Sequence, residues 1–346
     1  MLRSSSTSCR PGFPSGFFAS RLGSLLAAVS LFLLFPVWVP SPALAQGQSA
    51  AGDDYRLRVE TDLVVLHATI TDKDSRPVVD LPQESFRIFE NKVEQQIKIF
   101  KREDIPVSVG ILVDNSGSMR DKRKGVNAAA LKFVQSSNSL DEVFIVNFND
   151  EAFLDADFTG SIPLLEEGLE KIDARGGTAL YDALDMSLAH MAERATLDKK
   201  VLIAITDGED NASRINLERA VQAVERANVM IYTVGLLSGE NGRSDRRAKR
   251  ALEEISKASG GTVFFPKSPD EVLSVATAIA NDIRNQYVIA YTPTNLKKDG
   301  SFRAVEIKVD APKRGKLTVR ARSGYYAQEL TPTPSEKAPE TTDSSG

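Results

Sequence analysis

The chain changes its hydrophobic rhythm twice. From Leu57 it alternates with a period of two. Val64, Leu66, Ala68 and Ile70 put apolar side chains on one face, the pattern of a half-buried strand. Residues 72–77 (DKDSRP) are turn chemistry, and residues 86–89 and 97–100 predict two more strands around a turn at Glu90-Asn91-Lys92. From Pro106 the apolar runs become nearly continuous, at residues 107–113, 143–148, 201–206 and 229–234, as expected for strands covered on both faces. Amphipathic helices are predicted between and after them, over residues 122–136, 178–194, 216–227 and 246–259. A short strand at 262–265 and a helix over 270–284 complete this stretch. After Asn285 the period of two returns, at 287–291, 302–309 and 317–321, with turns at Lys298-Asp299-Gly300 and Lys313-Arg314-Gly315.

Alternating strands and helices predict an α/β domain over residues 105–283, a doubly wound, mostly parallel sheet with helices on both faces. In such units strands run toward one rim and helices run back. The chain therefore enters and leaves on the face opposite that rim. The β segments 55–104 and 284–327 meet there, and each is too small to bury much core alone. They are expected to pair into one discontinuous all-β domain. Residues 46–54 read as a flexible leader. Residues 328–346, rich in Thr, Pro, Ser and Glu, read as a disordered tail.

Residues 1–45 carry Arg3, Arg10 and Arg21, an apolar run over 22–39 and the small-residue site Ala43-Leu44-Ala45, the pattern of a secretory signal peptide. An uncleaved membrane anchor is the competing reading, and Pro36, Pro40 and Pro42 speak against it. Cys9, the one cysteine of 346 residues, falls inside that segment, so the exported chain needs no disulfide and has no thiol nucleophile. Export of a cysteine-free product suits a bacterial periplasm, outer surface or secreted location. Removing the three leader arginines leaves 40 basic against 47 acidic residues, a net charge of −7. That balance gives no general attraction to nucleic acid or to an anionic membrane. The basic run 243–250 (RSDRRAKR) reads as a solvated helix face.

Candidate chemistry sits where strands end. Asp114-Asn115-Ser116-Gly117-Ser118-Met119 follows the first buried strand with D-x-S-x-S spacing. Thr178 follows Gly176-Gly177 just before a helix, and Asp207 follows another buried strand in Thr206-Asp207-Gly208. In a doubly wound sheet these three segments converge on one rim. Two carboxylates and three hydroxyls form an oxygen donor set for a hard divalent cation, Mg²⁺ or else Mn²⁺ or Ca²⁺. Gly117 is expected to permit a tight turn. Asp182, on the first turn of a helix, is explained by the helix dipole. Glu209 and Asp210 are expected as caps or surface groups. Asn115 and Met119 are expected to carry little information.

DNSGSM, RGGTALYDAL and ITDGED, in this order and context, resemble the von Willebrand factor A family and its metal-ion-dependent adhesion site. The resemblance covers about residues 105 to 283 in the strand–helix sense. It implies a Rossmann-like fold in which the two serines ligate the metal directly. It also implies that the threonine and the aspartates shift between direct and water-mediated contact. By motif those roles fall to Asp114, Ser116, Ser118, Thr178 and Asp207. QYVIAYTPTN after this region and the GYYA ending further resemble secreted A-domain-related proteins of acidobacteria. The implied function is metal-dependent binding of a protein or another carboxylate-bearing ligand. A structural or assembly component of the cell envelope, with this domain as scaffold, is the alternative.

Catalytic patterns are sparse. His67 alternates with apolar residues in a strand and His190 sits in a helix, without partners at ligand spacing. There is no H-x-x-x-H, no cysteine cluster and no G-x-x-x-x-G-K-[ST] loop. A phosphoryl-accepting role for Asp114 calls for a second carboxylate two residues on, where Ser116 stands. Metal-assisted hydrolysis is therefore the weaker reading, and a non-enzymatic role is expected.

Overall fold

The computed structural model describes residues 63–327, apart from residues 103, 137, 172–173, 238–241 and 269–270. The predicted signal peptide, the leader and the tail from residue 328 lie outside the described residues.

Strand β1 (Val64–Thr71) follows the predicted alternation, with Leu66, Ala68 and Ile70 buried. Strands β2 (Phe86–Glu90), β3 (Val93–Gln95) and β4 (Ile97–Lys101) follow. Asn91 and Lys92 make the β2–β3 turn with φ of 46° and 70°. Residues 86–89 and 97–100 flank this turn but are not joined by it. β2 pairs antiparallel with β3, and β4 crosses to the opposite sheet. The reason is packing: the Phe100 ring lies 5.0 Å from that of Phe86 and 5.5 Å from that of Tyr287, across the core from β2.

The α/β region runs β5 (Val107–Asp114), α1 (Arg123–Gln135), β6 (Glu142–Phe148), β7 (Ala152–Thr159), α2 (Ile162–Glu170), α3 (Leu180–Arg194), β8 (Lys199–Thr206), α4 (Leu217–Arg226), β9 (Met230–Gly235), α5 (Gly242–Ser259), β10 (Val263–Phe264) and α6 (Val272–Arg284). Its six strands lie in the order β10-β9-β8-β5-β6-β7, and all pair in parallel except β7. Helices α1, α2 and α6 cover one face, and α3, α4 and α5 cover the other. Central β5 is buried at every position. Gly110 is required in its middle, because a Cβ there would lie 2.3 Å from the Phe144 ring. The sequence pattern does not predict β7 or α2. No residue of β7 is fully buried, so this edge strand writes no apolar run.

Strands β11 (Tyr287–Tyr291), β12 (Phe302–Val309), β13 (Thr318–Arg320) and β14 (Gly324–Tyr326) complete the all-β part. Two four-stranded sheets form, β13-β1-β11-β4 and β14-β12-β2-β3. Each combines strands from both flanks of the α/β region, in antiparallel ladders such as β1 with β11 and β2 with β12. Leu66, Ile70, Ile88, Tyr287 and Ile289 fill the core between them. Inside it, the Glu90 carboxylate accepts hydrogen bonds from Tyr291 (2.9 Å), Tyr325 (2.8 Å) and Arg303 (3.3 Å). Arg303 is 1% exposed, so its charge depends on that partner.

A polar seam joins the two parts. Asp282, near the end of α6, accepts from Tyr232 of β9 and from Arg320 of β13, each at 2.7 Å. Gln286 reaches the Tyr232 hydroxyl at 3.2 Å and Thr69 of β1 at 3.4 Å. Arg284 pairs with Asp104 at 2.7 Å and with Asp141.

Glu90→Ala would leave the Arg303 guanidinium buried without a carboxylate. It should destabilise the protein by about 3 to 5 kcal/mol, read as a lowered urea midpoint. Residues 55–104 expressed alone should show no cooperative unfolding transition.

Candidate metal centre

Parallel pairing of β5 with β8 sets Val113 beside Ile205, so Asp114 and Thr206 end side by side at the carboxyl edge of the sheet. The Thr206 hydroxyl donates to Asp114 Oδ2 at 2.6 Å, and the Ser116 backbone N–H donates to Oδ1 at 2.7 Å. Asp114 is fully buried. Burial pushes its carboxyl pKa up to about 6, against the opposing pull of those hydrogen bonds.

Backbone bonds stitch three loops around it. Gly117 N–H donates to the Gly176 carbonyl (3.2 Å), and Arg175 N–H donates to the Asn115 carbonyl (2.8 Å). The Thr178 carbonyl accepts from Asn211 (3.0 Å) and Ala212 (3.2 Å), while Thr178 N–H donates to Asn211 Oδ1 (2.9 Å). The two glycines before Thr178 are needed for close approach. A Cβ on Gly176, at φ +74°, would sit 2.1 Å from the Asp150 carboxylate, and one on Gly177 would sit 2.5 Å from Asn211 Oδ1.

Four of the five expected side chains are joined. Ser116 Oγ lies 3.2 Å from Ser118 Oγ, and Ser118 Oγ donates to Asp207 Oδ1 at 2.8 Å. Asp114 connects to this chain through the Ser116 amide. Ser116 is buried, whereas Ser118 is exposed at the rim. Thr178 lies alongside rather than within the chain; its Oγ1 is 3.7 Å from where a Cβ on Gly208 would be. Among the described residues no three His, Cys, Asp or Glu side chains cluster as metal ligands, so a cation here would rely on hydroxyls beside two carboxylates.

Lys122, which the sequence pattern marks only as the start of a helix, enters the site. Its ammonium donates to Asp207 Oδ2 and, at 3.3 Å, to the Leu236 carbonyl. The Asp207 side chain is 1% exposed and the Lys122 side chain 25%, so a buried carboxylate is neutralised by a group that reaches it from the rim.

The expectations for Gly117, Asn115, Met119 and Asp182 change. Gly117 has no left-handed φ, and a Cβ there would meet nothing nearer than 3.9 Å, so its conformational freedom is not what the loop requires. Asn115 is fully buried and donates to Asn147 Oδ1 at 2.7 Å, and Met119 is also fully buried, so both positions carry structural information. Beyond any dipole effect, Asp182 accepts from the Arg214 and Ile215 amides at 3.1 and 3.2 Å and anchors the third loop. Asp210 caps α3 by accepting from Tyr181 N–H at 3.0 Å. Arg247, Lys249 and Arg250 of the basic run pair with Glu209, Glu253 and Glu254 on a solvated face. His67 sits on β1, where burial lowers its pKa to about 3. His190 packs against the rings of Phe144 and Phe158 at 4.8 and 5.3 Å.

Residues 108–278 match the family model of the von Willebrand factor type A domain. An uncharacterized protein of Borreliella burgdorferi is 21% identical over 179 residues, covering 51% of this chain and 52% of the relative. An uncharacterized protein of Synechocystis sp. is 23% identical over 172 residues, covering 49% of this chain and 40% of the relative. The chain thus spans about half the length of the curated relatives it matches. An aerotolerance-related membrane protein from Bacteroides fragilis is 20% identical, with a TM-score of 0.43, over 51% of this chain and 98% of that one. Proximal thread matrix protein 1 from the mussel byssus, with a zinc-occupied MIDAS motif, is 17% identical, with a TM-score of 0.45, over 55% and 48%.

The Asp114 pKa has a consequence for stability in chelator. A carboxyl whose folded pKa is raised contributes stability that is fully present below about pH 4, the unfolded value, and lost as pH rises through about 6. The span is on the order of 3 kcal/mol. Asp114→Asn should remove this part of the pH dependence, measured as urea midpoints of both proteins at about pH 5 and about pH 7.5 in EDTA.

Proposed function

We propose, for a chain that belongs to the von Willebrand factor type A family through residues 108–278, that it is a binding module in which a divalent cation at the Asp114 site recruits an acidic group of a partner. Domains of this family commonly mediate adhesion or protein interaction. The observation that carries the reading is the spacing of the oxygen donors. Neighbouring ligands of an octahedral Mg²⁺ at about 2.1 Å are about 3.0 Å from one another. The separations of Ser116 Oγ from Ser118 Oγ and of Ser118 Oγ from Asp207 Oδ1 are 3.2 and 2.8 Å. The hydroxyls and carboxylates present therefore suit Mg²⁺, Mn²⁺ or Ca²⁺.

In this reading Ser116, Ser118, Thr178, Asp114 and Asp207 hold the cation, directly or through water. With two carboxylates and three neutral hydroxyls, a bound cation keeps Lewis acidity for an incoming carboxylate. Exposed Ser118 marks the side from which a partner would approach. The predicted signal peptide belongs to the same reading, and would place the domain in the periplasm, on the surface or outside the cell.

One observation favours a second reading. Lys122 already supplies a positive charge to Asp207, so that carboxylate is paired without a divalent ion. The domain would then serve as a scaffold in an envelope assembly.

Calorimetric titration of the exported chain with Mg²⁺, Mn²⁺ and Ca²⁺ tests the first reading. Saturable binding is expected, and Ser116→Ala should weaken it at least about tenfold. Lys122→Met should tighten it about fivefold, the worth of a partly exposed ion pair that the cation no longer displaces. Partner capture unaffected by both chelator and Asp114→Ala would sink the metal-bridged model.

A further inference from the structure

One arginine has no counter-ion among the described residues. Arg322, just before β14, lies at the seam between α4 and the all-β part. Its Nη1 donates to Asn228 Oδ1 at 3.0 Å and its Nη2 to the Val65 carbonyl at 3.1 Å. Its Nε is buried and has no hydrogen-bond partner among the described residues. No carboxylate of the described residues stands within 4.0 Å of this guanidinium. Burial lowers its pKa, yet a guanidinium keeps its proton at any physiological pH, so the charge remains. Arg303 in the same domain shows the usual remedy, a buried Glu90 at 3.3 Å. At Arg322 the described residues offer only neutral acceptors.

The surroundings add positive charge. Arg322 lines a cleft of about 410 Å³ whose wall, among the described residues, also contains Arg226 and Lys297 and no aspartate or glutamate. That volume is in the range of small-molecule sites, about 300 to 1,000 Å³. Tyrosines hold the two arginines in place. The Arg226 guanidinium lies 4.5 Å from the Tyr326 ring centre, and that of Arg322 lies 5.5 Å from the ring centre of Tyr325. Arginines fixed on aromatic faces lose little freedom when they bind an oxyanion. Glu225, beside Arg226, accepts from the Tyr326 hydroxyl at 3.4 Å and lines the adjoining cavity together with Arg322.

We propose that this cleft is an anion site, in which Arg322 and Arg226 bind the carboxylate or phosphate of a small ligand and Lys297 contributes from the rim. The cleft opens beside the amino end of β1 and the carboxyl end of α4, whereas the Asp114 site lies at the carboxyl edge of the parallel strands. The proposal is thus independent of cation binding.

The test is calorimetry of the full exported chain in EDTA, with inorganic phosphate, citrate and glucuronate as separate probes. Saturable, salt-sensitive binding of at least one is expected. A preference for phosphate or for glucuronate identifies which source of the oxyanion the cleft takes. Arg322→Gln and Arg226→Gln should each weaken binding about tenfold, while Ser116→Ala leaves it unchanged. Arg226 is held here by the Tyr326 ring, so its variant remains informative if Arg322→Gln folds poorly. Absence of saturable binding with all three probes, equal binding by wild type and Arg226→Gln, or loss of binding in Ser116→Ala overturns the proposal.

Discussion

The parallel register between β5 and β8 is the constraint on which the upper half of the molecule depends. It brings Asp114 beside Thr206, and a buried carboxylate must find donors. Thr206 supplies one and the Ser116 amide supplies the other, which fixes the turn out of β5. From that turn Ser116 and Ser118 reach Asp207, and Asp207 draws in Lys122. The register is held by burial of β5 on both faces, and Gly110 leaves room for the Phe144 ring. A slip of one residue would exchange the two faces of β5 and separate Asp114 from its donor.

Three charged side chains, Asp114 and Arg303 fully buried and Arg322 half-buried, are handled in three ways. Asp114 is held by neutral hydrogen-bond donors and shifts toward its protonated form. Arg303 is paired with Glu90, with two tyrosines completing the carboxylate. Arg322 has neutral acceptors and an unpartnered Nε. The first and third mark the two places where a ligand of opposite charge would relieve an imbalance. The second, already balanced, holds strands from the two flanks together.

Much of this was legible in the sequence, for physical reasons. Strands β5, β6, β8 and β9 are covered on both faces and so appear as continuous apolar runs. The candidate ligands Asp114, Ser116, Ser118, Thr178 and Asp207 stand at strand ends or before a helix, positions that rhythm alone locates. The missing elements have weak signals. β7 is a half-exposed edge strand, and β3 and β14 are three residues each, too short for a period to register. The crossing of β4 to the other sheet depends on Phe100 packing against Phe86, a contact that no local pattern encodes. Lys122, Asp150 and Asn211 act across 27 to 85 positions of sequence, so their roles appear only once the loops converge.

The all-β part is built from both flanks, and this decides how the chain would carry mechanical load. Tension applied between residues 63 and 327 enters at β1 and leaves at β14, both in that part. The α/β domain hangs between β4 and β11, which are themselves neighbours in one ladder. It therefore lies off the line of force until that ladder ruptures. A module anchored through its ends would keep its Asp114 rim undistorted under pull, with the antiparallel sheets acting as the clasp.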